Sequence, residues 1–192
     1  MSAPLHVPET TPYPWPWSGA LSASRLAVLV VTSPGVEAVP PVAEPVAAFA
    51  ALGALVVDVR TAPPHQRRPA PAGERVAGSW PADHVVEPHG WDGFHGTPLD
   101  ALLRAAGRDI LVLAGWWLEL AVHSTMRSAN DRGYECLLAT DLTVGLDPGT
   151  TAGAISSIHM SGGIFGVTGR ASDVLAALAG AGVDRPGEEF PS

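Results

Sequence analysis

The sequence predicts an α/β domain: a mostly parallel sheet of about five or six strands with helices on both faces. Three observations predict it. Continuous apolar runs such as Leu26-Ala-Val-Leu-Val-Val31 and Ala54-Leu-Val-Val-Asp-Val59 read as strands buried on both faces, not as the alternating strands of a half-exposed sheet. Helical stretches with start and stop signals stand between those runs. The regular alternation of strand and helix implies right-handed crossovers and parallel pairing.

The elements follow in order. Residues 1–24 form an arm holding Pro4, Pro8, Pro12, Pro14 and Pro16, with Tyr13, Trp15 and Trp17 between them. Prolines at this density block helix and ladder alike, and the aromatics suit a surface of this domain or of a neighbouring subunit. Residues 1–9 suit a mobile tail equally well. The single domain, residues 25–192, then begins. Residues 26–31 are a strand. Residues 42–52 are an Ala-rich helix closed by Gly53. Residues 54–59 are a second strand, residues 60–80 a Pro- and Gly-rich loop, and residues 84–87 a short strand. Residues 97–104 are a helix with Thr97 as N-cap, Pro98 at the first position and Asp100 at the third. Residues 109–114 are a strand, 119–131 a helix and 134–140 a strand. Residues 149–160 are a helix, 164–167 a last strand and 171–181 a last helix. In such sheets ligands bind beyond the carboxyl ends of the strands, here near Thr32, Arg60, Glu87 and Gly115.

Composition excludes several classes. The 192 residues are 46% hydrophobic, which suits one well-buried domain. A net charge of -8 argues against a nucleic-acid partner, and Arg67-Arg68 reads as solvated surface. No apolar run has the length of a membrane span, and the first residues lack a signal-peptide pattern. One cysteine, Cys136, excludes an internal disulfide and suits a reducing cytoplasm. All 11 basic residues of the Lys and Arg class are arginine, so no phosphate-binding Gly-Lys loop exists. Gly162-Gly163 only permits a tight turn.

The stretch from Gly115-Trp-Trp through Ala129-Asn-Asp-Arg-Gly-Tyr-Glu-Cys136 to Thr140-Asp141 resembles the isochorismatase-like cysteine hydrolases. Pro12-Tyr-Pro-Trp-Pro16, Met126-Arg127 and Gly162-Gly-Ile-Phe-Gly166 are most similar to the biuret-hydrolase branch of that family. The likeness covers most of residues 12–178, with a shortened region between the first strand and Pro81. It implies the three-layer isochorismatase-like fold and a habit of forming oligomers. It also implies a triad of aspartate base, lysine and cysteine nucleophile. Aligned on this sequence, those positions are Thr32, Pro88 and Ala121. Alanine has no lone pair to attack a carbonyl, threonine is no carboxylate base and proline carries no side-chain donor. Residues of such a unit fail together, so the covalent route is expected to be absent. Relatives that cleave an enol ether without the cysteine keep the aspartate, which this chain does not. Ala121 is expected to begin a helix at the carboxyl edge of the sheet, beside Thr32 and Pro88.

Other residues stand near the expected mouth. Trp116, Trp117 and Trp91 are candidates for stacking a flat substrate, or else core anchors; the family commonly has a cis peptide near the first two. Asp92, His89 and Glu119 are candidates for proton transfer, with His95 beside them. Glu119 and His123, four apart on a helix, are placed to share a face. Thr32, Ala121 and Arg60 would line the pocket, with Arg60 able to hold a carboxylate. Some relatives bind a metal after the second strand, where Asp58 and His65 stand here. The spacing of His65, His84 and His89 does not suit a metal, and no cofactor is expected. Cys136 reads as a small hydrophobe in a strand. Two functions remain open. One is an enzyme of specialised metabolism acting on a small, partly apolar molecule by non-covalent cyclisation, elimination, isomerisation or hydration. The other is a catalytically inactive binding or scaffold subunit. A homo-oligomer is expected in either case.

Overall fold

The structure, a computed structural model, describes residues 5–34, 41–63 and 78–181. Its sheet has six strands: β1 (Leu26–Thr32), β2 (Leu55–Arg60), β3 (His84–Val86), β4 (Ile110–Trp116), β5 (Glu135–Val144) and β6 (Val167–Gly169). The order is β3-β2-β1-β4-β5-β6 and every pairing is parallel. Both β1 and β4 are buried along their whole length, as their unbroken apolar runs require.

Five helices cover the two faces: α1 (Ala43–Ala51), α2 (Leu99–Ala105), α3 (His123–Asp131), α4 (Pro148–Met160) and α5 (Ala171–Ala181). On one face Val28 and Val30 of β1 pack with Val46 and Phe49 of α1, Val174 and Leu178 of α5, and Trp15. On the other, Leu29 and Val31 pack with Leu99 and Leu103 of α2, Met126 and Ala129 of α3, and Ile158 of α4. The alternation of β1 side chains between these clusters is the period of two that a strand imposes.

The proline-rich arm lies on its own domain. Trp15 is fully buried, and Thr11 and Thr168 exchange backbone hydrogen bonds of 3.0 and 2.7 Å, so the arm pairs with edge strand β6. An unpaired edge is a template for association, and here the arm occupies part of it. Residues 1–4 of the expected tail, and His65, Arg67 and Arg68, lie outside the described residues.

Four expectations need correction. The last strand is Val167–Gly169 and not 164–167; Ile164 stands exposed in a turn. Gly162, Gly163 and Gly166 all have positive φ, which holds that segment out of extended conformation. Strand β5 runs on to Val144, past the expected end at 140, after a register shift against β4 between Leu113 and Gly115. The helix expected over 119–131 opens instead with a π-helical turn, Leu118–Val122, ahead of α3. Helix α2 starts at Leu99 with Pro98 as its cap, although Thr97 Oγ1 still accepts from Leu99 N at 3.4 Å.

Candidate functional site

In the order β3-β2-β1-β4-β5-β6 the chain runs outward to opposite sides from β1 and β4, so the switch point lies between their carboxyl ends. Val31 pairs with Gly115 there, and the π-helical turn carrying Ala121 follows directly on β4. Thr32 and Ala121 are both completely buried, and Pro88 is buried as well. Thr32 Oγ1 donates to Val59 O at 3.5 Å. Gly115, at φ 114°, brings β4 so close to β1 that a Cβ would lie 1.9 Å from Val31 O.

Two buried hydroxyls at this place were not among the sequence candidates. Thr61 Oγ1 donates to Thr32 O at 2.8 Å, which leaves Ser33 Oγ to donate to Thr61 Oγ1, also at 2.8 Å. Ser33 and Thr61 are fully buried. The signal was present: each is the polar residue that ends a run leading out of a buried strand, where parallel sheets place their ligands.

The tryptophans are tied to the same segment. Trp116 donates its indole N–H to Ser33 O at 2.7 Å and meets Trp80 edge-on, with ring centroids 6.2 Å apart. Trp117, half-buried, donates to Pro34 O at 3.3 Å. The peptide between them is cis. With no exposed surface, Trp116 is an anchor of the core and not a free stacking platform. Trp91 is half-buried at the edge of the opposite cluster.

The acidic candidates are engaged. Asp92 accepts from Phe94 N at 2.9 Å through Oδ1 and from Ser128 Oγ at 2.8 Å through Oδ2, tying its loop to α3. Glu119 accepts from Leu146 N, Asp147 N and Thr150 Oγ1, each at 2.9 Å through Oε1, and so closes the start of α4. It does not pair with His123, whose Nε2 lies 3.4 Å from Ser157 Oγ. The wider π-helical turn removes the four-residue coincidence that an α-helix would give. Arg60 donates to the buried Asp58 carboxylate at 2.8 Å, so the guanidinium expected to face a ligand is engaged by its own strand. His89 and His95 are exposed.

Electrostatics agree with these partners. Burial pushes the Glu119 carboxyl up, but the surrounding N–H and hydroxyl donors outweigh it and hold the group below the usual glutamate range. Burial, helped by Arg127, lowers the His123 imidazole, favouring its neutral form at pH 7. Asp58 is raised, chiefly by burial, against the opposing pull of Arg60. Glu119 is therefore ionised at neutral pH and has no proton to give. Glu119→Gln is expected to cost about 1–2 kcal/mol, as loss of a helix-start carboxylate does. Because the folded state lowers this group, its contribution is complete above the ordinary glutamate range and fades as pH falls through the folded value. The gap in melting temperature between wild type and variant should be open at pH 7 and close towards acid pH.

Cys136 sits in β5, fully buried, with burial and neighbouring Glu135 raising its thiol far above the ordinary range. Among the described residues no group of three His, Cys, Asp or Glu side chains could hold a metal ion, and no helix is long and apolar enough to cross a membrane.

Residues 29–168 match the isochorismatase domain family. An isochorismatase family protein from Burkholderia thailandensis superposes with a TM-score of 0.64 at 25% identity, over 81% of this chain and 96% of that one. A cysteine hydrolase from Pseudomonas syringae pv. phaseolicola reaches 0.71 over 94% of this chain and 100% of that one; at 19% identity it speaks for the fold alone. Among curated relatives, the uncharacterised isochorismatase family protein YwoC of Bacillus subtilis is 41% identical over 59 residues, 31% of each chain. The ureidoacrylate amidohydrolase RutB of Methylorubrum extorquens is 38% identical over 63 residues, 33% of this chain and 25% of that protein. The matched stretch thus spans a third or less of the curated relatives' length.

Proposed function

Because the chain belongs to the isochorismatase family, we propose that it is a member without covalent amide chemistry, a catalytically inactive binding or scaffold subunit that associates with itself or with a partner. The observation that carries this reading is the closure of the switch point: Thr32, Ala121 and Trp116 have no exposed surface. The sequence supports it independently. Without lysine, and with its one cysteine at position 136 in a buried strand, the chain lacks the parts of an Asp, Lys and Cys triad. The resemblance to the biuret-hydrolase branch would put Thr32, Pro88 and Ala121 in the places of aspartate, lysine and cysteine. The acidic groups that remain, Asp92 and Glu119, are held by hydrogen bonds that a proton shuttle would have to break.

A second reading has its own observation. The imidazoles of His89 and His95 are exposed, next to Pro88 and close to Phe94 in the chain, and are groups that acid/base catalysis can use on a small substrate. Turnover of a non-amide substrate that is lost in His89→Ala and unchanged in Cys136→Ser would favour it.

The test of the first reading uses the purified chain with biuret, ureidoacrylate and simple amides. No hydrolysis is expected, and Ala121→Cys alone should restore none, since Thr32 cannot take the thiol proton. Intact-mass measurement should show Cys136 unmodified by iodoacetamide in the native protein and singly modified after denaturation. Amide hydrolysis by wild type that iodoacetamide stops would overturn the reading.

A further inference from the structure

A cavity of about 530 Å³ opens at the amino end of the sheet, away from the switch point. It is lined by Arg25, Arg104, Arg108, Asp109 and Tyr134, with Gly107 and Gly133 at its edge. Its volume lies in the range of small-ligand sites. Three guanidinium groups and one carboxylate meet there, in a chain whose net charge is -8.

Structural duties use part of this set. Arg25 grips Asp109 with two hydrogen bonds, of 2.8 and 2.5 Å, and so neutralises the one acid in the wall. Arg104 bonds Asp100 through Nε and Arg132 O through Nη2, and lies 5.2 Å from the centre of the Tyr134 ring. Arg108 reaches the carbonyls of Ala23 and Gly53, both through Nη1. Donors are left over. A guanidinium has five N–H groups. Among the described residues Arg108 meets no carboxylate, and its Nη2 makes no hydrogen bond; its Nε makes none either, but is enclosed by protein and out of a ligand's reach. The two N–H groups on Nη2 are free to meet an accepting oxygen. Arg132 O and Gly53 O, which Arg104 and Arg108 reach, stand at the carboxyl ends of α3 and α1 and meet part of the two charges. At Gly107 and Gly133 an added Cβ would meet nothing within 4 Å, so the rim is open to an incoming group.

We propose that this cavity binds the phosphate group of a small molecule, with Arg104 and Arg108 as its donors and the Tyr134 ring as an apolar wall for the rest of the ligand. Arginine suits that role because its fork matches the oxygens of a phosphate. The site is separate from the switch point and does not depend on whether the protein is catalytic.

The experiment titrates the full chain with inorganic phosphate, followed by ³¹P NMR and calorimetry, with chloride at matched ionic strength as the control. Saturable binding up to millimolar phosphate is expected, with no equivalent response to chloride. Arg108→Gln and Arg104→Gln should each weaken it about tenfold or more, the loss of one charge-assisted contact, with the circular-dichroism spectrum unchanged. If Arg108→Gln fails to fold, the exposed Arg104 decides. Absence of saturable binding to wild type, a matching response to chloride, or undiminished binding to folded Arg104→Gln would overturn the proposal.

Discussion

Trp116→Ala is expected to destabilise the domain by about 3–5 kcal/mol, the range for removing a buried tryptophan. For a domain of this size that corresponds to a fall of roughly 6–20 °C in melting temperature. Three losses combine. The side chain has no exposed surface and belongs to the cluster formed with α1 and α5. Its indole N–H holds Ser33 O at 2.7 Å, and without it a carbonyl in a buried segment loses its donor. Its edge-on contact with Trp80 also disappears. Trp117→Ala removes a half-buried ring and a longer bond of 3.3 Å, so it should cost clearly less. Thermal melts of the two variants side by side make the comparison. Equal and small shifts would show that Trp116 is not the anchor of this end of the sheet.

Gly115→Ala should be worse, at more than about 4 kcal/mol, and is expected to yield little folded protein. An added Cβ would stand 1.9 Å from Val31 O and 2.9 Å from Val31 N, inside the backbone of a central strand that is fixed by β2 and β4 on either side. Backbone cannot step aside as a flexible side chain would. The φ of 114° adds strain for any residue with a Cβ. Gly107→Ala is the control: its φ of 66° is also positive, but nothing lies within 4 Å of the new atom. Its cost should stay near the ~1–3 kcal/mol of backbone strain alone. Soluble yield and denaturant midpoints of the two variants test the difference, and a normal midpoint for Gly115→Ala would mean that β1 and β4 do not meet there as described.

Gly115 also marks a limit of sequence reading. It was legible as the residue after a buried strand, yet its role comes from Val31, 84 positions earlier in the numbering, which only the β1–β4 register brings beside it. Ile164 went astray for a local reason. Ile164-Phe165 looks like the start of a short apolar strand, and a run that short carries no period to separate strand from turn. The glycines on both sides decided it. Glu119 and His123 went astray through one assumption, that their helix has 3.6 residues per turn from its first residue; the π-helical turn at Leu118–Val122 sends Glu119 to the start of α4 instead.

What the sequence by itself determined was the layered parallel sheet, because strands buried on both faces must be apolar throughout, and the family frame, through motif runs such as Ala129 to Cys136. It also determined the absence of lysine and the single cysteine at 136, facts of composition that need no geometry. The tertiary structure alone decided which polar groups are engaged. Asp92 and Glu119 look alike in sequence as groups near a mouth, but a hydrogen bond is made or not according to where Ser128 and Leu146 arrive in space. The same holds for Ser33, Thr61 and Arg108, whose neighbours come from strands and loops distant in the chain: directional contacts of a few ångströms depend on the packing of whole elements, which no local pattern records.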